Sequence, residues 1–121
     1  MADPRNLLDD LLARLASGNI VAMKDKMARA MVLASEVGVD VRDEHGLIIP
    51  NSLRREGRAQ WSFRFKNNGH VAPDFLIMDA GIRCTMRFAE GPFEVFVPWR
   101  AAVELWYRAT EAAKAAIEGK N

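Results

Sequence analysis

The side chains able to do chemistry are few and scattered. His45 and His70 stand in loop-like contexts, and neither belongs to a metal-ligand or metalloprotease spacing such as HxxxH or HExxH. The single cysteine, Cys84, lies in an alternating apolar run and reads as a buried thiol, not as a nucleophile. Carboxylates at Asp9-Asp10, Asp40, Asp43-Glu44 and Asp79 fall where helix surfaces and turns normally carry acids, so no pair stands out as a general acid and base. No P-loop, GxGxxG, GxSxG or paired-cysteine metal motif occurs. The balance favours a binding module with no catalysis and no cofactor.

Two surfaces can bind. One is a basic row, Arg64, Lys66, Arg83 and Arg87, which forms if residues 59–65 and 82–88 share one side of a sheet. Small barrels hold single-stranded nucleic acid by pairing such charges with exposed aromatics. Here Trp61, Phe63 and Phe65 point away from the arginines, which favours a solvated face. The other surface is a sheet edge with an apolar groove, where an extended peptide adds as a strand. Met86, Phe88 and Phe93 beside arginines would suit an acidic, partly apolar peptide.

The elements that must position these residues follow from periodicity. Asp3-Pro4 opens a first helix with Leu8, Leu11, Leu12 and Leu15 on one stripe, closed by Ser17-Gly18-Asn19. Residues 20–37 read as a second helix with Met23, Met27 and Met31 every four residues, favouring core packing over a partner surface; residues 37–41 alternate well enough to begin a strand, so that boundary stays open. Short strands follow: 46–50, 59–65, 74–78, and a hairpin of 82–88 with 93–98 turning at "AEGP". Pro98 then opens a long helix in which Trp99, Val103, Trp106, Thr110, Ala113 and Ile117 recur at helical spacing.

The expectation is one α+β domain over 1–121: a helical region to 41, a curved antiparallel meander or small open barrel over 42–97, and a carboxy-terminal helix over 98–118. Its 121 residues suffice for one core, and 17 basic against 16 acidic residues leave a net charge of +1, too little for a long-range field toward nucleic acid or anionic membrane. No apolar run approaches the roughly 20 residues of a membrane helix, and with a lone thiol the expected compartment is the cytoplasm.

The stretches "IPNSLRREGRAQWSFRF" and "FLIMDAGIRCTMRFAEGPFEVFVPWRAAVELWYRA" resemble the stringent starvation protein B (SspB) family. The resemblance rests on Ile49-Pro50, Glu56-Gly57, Arg87-Phe88, Gly91-Pro92, Val97-Pro98, Ala101-Ala102-Val103 and Tyr107, and is best over 79–109. It implies a small open, Sm-like barrel that binds degradation-tagged polypeptides and delivers them to the ClpXP protease, an AAA+ machine. It also implies a peptide site at or near Thr85, Met86, Arg87 and Phe88, with Arg64 from the adjoining basic row, and a homodimer. Leu8, Leu11, Leu12 and Leu15, or the Trp99 and Trp106 face, would form the interface. The chain differs from the family at Met86, where a small residue is usual, and at Ala89-Glu90, where two glycines are. The alternatives are a nucleic-acid-binding barrel using the basic row, or a structural subunit of a larger assembly.

Overall fold

The computed structural model describes residues 22–119. The leucine stripe at Leu8, Leu11, Leu12 and Leu15 therefore lies outside the described residues.

Residues 22–33 are helical (α1), and the methionine spacing explains why this helix docks. Met27, Ala30 and Ala34 are buried, and Met23 and Met31 pack partly against the same core, so the methionines are core residues. Lys66 Nζ donates to the Met31 carbonyl at 2.7 Å, satisfying a last-turn acceptor that has no partner within the helix. Two residues beyond Ala34 the chain is already extended in β1 (Glu36–Arg42). The expected helical region to residue 41 is thus corrected at its end: Val37, Val39 and Val41 alternate inward as a buried strand.

After β1 come a short helix α2 (Asn51–Arg54), then β2 (Gln60–Asn67), β3 (His70–Val71), β4 (Leu76–Ile77), β5 (Gly81–Phe88) and β6 (Gly91–Pro98). A single 3₁₀ turn, Trp99–Ala101, leads directly into β7 (Ala102–Arg108), and α3 (Glu111–Ile117) closes the described chain. The fold is α+β with antiparallel sheets that do not close into a barrel. One sheet has the order β3-β2-β1-β7 and the other β4-β5-β6, so the meander is divided between two sheets. The run 46–50 contributes one bridge, Ile48 to Phe96, with backbone bonds of 2.9 and 3.0 Å. Between the sheets one core gathers Val39, Phe63 and Phe65 from the first with Ile82, Val95 and Val97 from the second. Each such side chain, fully buried, stabilises by about 1.5–3 kcal/mol.

The long carboxy-terminal helix is not formed. Residues 102–108 pair antiparallel with β1, placing Tyr107 opposite Val37 and Leu105 opposite Val39. β1 is central to its sheet and needs a hydrogen-bonding partner on both edges; a helix at 102–108 would leave one edge of this buried strand unsatisfied. Long-range pairing therefore overrides the local helical tendency of the alanines. Helix begins only at Glu111, where Thr110 Oγ1 accepts the Ala113 N–H at 3.2 Å as an N-cap.

This changes the expected dimer face. Trp99 is 6% exposed, and its Nε1 donates to the Met78 carbonyl at 3.0 Å, so it is a core residue of this chain. Trp106 lies in β7 on the outer side of its sheet, and the two tryptophans share no helix face.

Candidate functional site

Strand pairing leaves two backbone edges open toward each other. β1 covers one edge of β2, but on the other edge β3 pairs only with Lys66 and Asn67. β6 covers one edge of β5, while β4 reaches only Ile82 and Arg83 on the other. Among the described residues no strand pairs with the remaining edge of β2 over 60–65 or of β5 over 84–88.

A groove runs between these edges. Its first part, about 300 Å³, is lined by Arg64, Phe65, Asn67, His70, Ala72 and residues 84–87. The second, about 380 Å³, is lined by Trp61 to Arg64, Met86 and Phe88, with Leu53, Glu56 and Arg58 forming its outer wall. Arg64 and Met86 border both parts and make them continuous. The segment 70–77 crosses from β2's edge, as β3, to β5's edge, as β4, and so closes one end.

The floor is aromatic. Phe88 meets Phe63 edge-on at 6.4 Å between ring centres and meets Phe93 in the same manner at 6.4 Å. Phe65 packs on Phe75 of the crossing segment at 5.8 Å. Edge-to-face contacts of this kind hold ring orientation as well as area.

The residues expected at a peptide site are brought together: Thr85, Met86, Arg87, Phe88 and Arg64 all border the groove. The basic row is brought together only in part: Arg64 and Arg87 share the first part of the groove, while Lys66 and Arg83 border neither part. Arg64 and Lys66 lie on β2, while Arg83 and Arg87 lie on β5 in the other sheet. Lys66 is committed to the end of α1, and Arg83 Nε pairs with Glu94 Oε1 at 2.8 Å. Arg64 lies 3.5 Å from Glu36, its guanidinium 5.5 Å from the centre of the Trp106 ring. Neither Lys66 nor Arg87 has a carboxylate within ion-pair distance among the described residues, and Lys66 is held by the Met31 carbonyl.

Arg64 is held from behind by the outer face of its sheet. Trp106 lies across Gly38, whose missing Cβ leaves the space: an added methyl there would sit 2.0 Å from the indole. The Trp106 Nε1 donates to Ser62 Oγ at 3.0 Å, and Glu36 ties Arg64 and Arg108 together.

Asp74, in the crossing segment, accepts from the Thr85 N–H at 3.0 and 3.1 Å and from Thr85 Oγ1 at 2.5 Å. The hydroxyl and then the backbone bond from Thr85 hold its carboxyl below the usual range. Cys84 is buried, and burial, with the nearby Asp74 charge second, pushes its thiol up to about 11. At neutral pH it is a protonated core group, as its sequence context suggests. Glu90 faces elsewhere: it borders a separate cavity with Pro50, Ser52 and Phe93, and a hydrogen bond from Ser52 lowers its carboxyl. The acid at the hairpin tip is therefore not a groove residue.

Leu53, Arg58 and His70 border the groove, and Asp74 bonds to Thr85 beside it, though no local pattern in the sequence marks them as site residues. His70 reads as a solvated loop residue because only the β2–β3 pairing turns it toward the groove. No local spacing marks Asp74, since its partner is eleven residues away. Among the described residues no cluster of His, Cys, Asp or Glu could hold a metal ion. None of the helices formed by them is long and apolar enough to cross a membrane. The arrangement supplies backbone donors and acceptors, an apolar floor and guanidinium groups.

Comparison with protein-family models and with curated proteins finds no match for this chain.

Proposed function

We propose that this protein is a non-catalytic peptide-binding adaptor, SspB-like, that takes an acidic, partly apolar peptide as an added strand in the groove between β2 and β5. The observation that carries the proposal is the juxtaposition of two strand edges, with which no strand pairs among the described residues, and Thr85, Met86, Arg87, Phe88 and Arg64 on one continuous groove. Unpaired edges supply sequence-independent affinity through the backbone, and the intervening side chains supply selection. Arg87 and Arg64 favour acidic residues in the ligand; Phe88 and Phe63 accept an apolar one.

In this reading the two sheets are an opened small barrel, and the ligand is a degradation-tagged polypeptide passed to an AAA+ unfoldase, with a homodimer as the working unit. The nucleic-acid alternative loses support because the four basic side chains are divided between sheets and three of them are engaged.

The test is fluorescence anisotropy of a labelled degradation-tag peptide at two salt concentrations, with a single-stranded oligonucleotide as a second probe. Saturable peptide binding, weakened about tenfold or more by Phe88→Ala and only modestly by salt, is expected. Oligonucleotide binding that falls steeply with salt, with no peptide binding, would sink the proposal. Delivery is tested separately, by whether degradation of a tagged substrate by ClpXP accelerates when the protein is added.

A further inference from the structure

An edge strand presents its N–H and C=O groups outward at every second residue. Gly81 marks which residues these are in β5, because its carbonyl accepts the Met78 N–H on the β4 side. Arg83, Thr85 and Arg87 therefore face the same edge. Arg83 lies opposite Leu76 of β4. Asp74 then takes the Thr85 N–H with both carboxylate oxygens and the Thr85 hydroxyl as well. Of the residues facing the groove on this edge, Arg87 is what remains for an incoming strand.

A side-chain carboxylate thus stands where the carbonyl of an added strand would bond. It is held only by exposed contacts at the groove's closed end, on a segment whose sole nearby strand pairing is the two-residue β4. Exposed hydrogen bonds exchange with water at small net cost, so another acceptor can replace this one. We propose that Asp74 is a built-in competitor of the peptide: it occupies the Thr85 edge in the free protein and must release it before a ligand strand can pair along β5 past Arg87. This rests on the peptide-groove reading above and adds a gate to it. The gate favours ligands that offer a carboxylate or carbonyl to both the Thr85 N–H and its hydroxyl, so an acidic side chain at that ligand position should bind best.

The experiment compares the intact protein with Asp74→Ala and Asp74→Asn, using the labelled degradation-tag peptide and checking each variant by thermal melting. Asp74→Ala should bind about five- to tenfold more tightly, the equivalent of one exposed charge-assisted hydrogen bond no longer displaced. Asp74→Asn, which keeps the shape but not the charge, should fall between and serves if the alanine variant does not fold. Binding by Asp74→Ala with none by the intact protein would also support the gate. Equal or weaker binding by both variants, with clear binding by the intact protein, would overturn the gate and leave the peptide groove standing. Absence of binding by all three would overturn both.

Discussion

Replacing Gly38 by alanine tests whether the outer face of the sheet holds Arg64 for the groove. The added Cβ would lie 2.0 Å from Cζ2 and 2.2 Å from Cε2 of Trp106, far inside contact distance, so the indole must leave. It then loses its hydrogen bond to Ser62, about 1 kcal/mol, and its stacking on Arg64, about 0.5–1 kcal/mol at an exposed site. Alanine recovers roughly 0.5–1 kcal/mol through its lower backbone entropy in a strand. With the indole area returned to water, the net loss is about 1–2 kcal/mol, or a melting temperature lower by about 3–8 °C. The decisive assay is a double-mutant cycle in urea with Trp106→Ala. In that background Gly38→Ala should be neutral or stabilising, because nothing remains to collide with. An equal loss in both backgrounds would refute the argument. The same two variants should weaken peptide binding comparably, since each frees the Arg64 guanidinium.

Cys84, with its thiol pushed up to about 11 by burial, should resist an aromatic disulfide reagent at pH 8 and react fully only in denaturant; prompt labelling of the native protein would show the site to be open. Tyr107 donates to Glu118 at 2.7 Å, which raises its phenol from 10.0 to about 12. Because the folded value is the higher one, the stabilisation is fully present below pH 10 and is lost as pH rises through about 12. Ultraviolet titration should show a midpoint near the raised value, moving back toward that of free tyrosine in Glu118→Ala.

β2 and the β5–β6 hairpin are legible because Trp61, Phe63 and Phe65, then Ile82 and Cys84 with Val95 and Val97, alternate with polar residues, and alternation is what a one-sided strand requires. Phe93 breaks the pattern: it continues the inward series of β6 yet is 36% exposed, near the hairpin tip where the core has ended. The carboxy-terminal stretch misleads because Trp99, Val103 and Trp106 satisfy helical spacing by coincidence, while the fact that decides the matter, β1's need for a second partner, lies sixty residues away in the chain. Thr110 carried a usable signal as the cap of α3, but a cap inside an assumed helix goes unnoticed. That Thr85, Met86, Arg87 and Phe88 lie on one strand was legible from the alternation of their neighbours. Asp74 and His70 were not, because their roles come from the segment that crosses between sheets.

The turn at Trp99–Ala101 joins the two sheets. Chain leaves one sheet in β6 and enters the other in β7 with three residues between, and the first and last of these, Trp99 and Ala101, are buried. That corner is three residues long, whereas the groove side is joined by the longer run 70–77, in which only four residues belong to strands. The two sheets are therefore bound like a book, with a short spine at this corner and a longer strap at the fore-edge. A glycine inserted at the spine would loosen the aperture for every ligand alike, while changes in 72–75 would alter how far the pages open for each one.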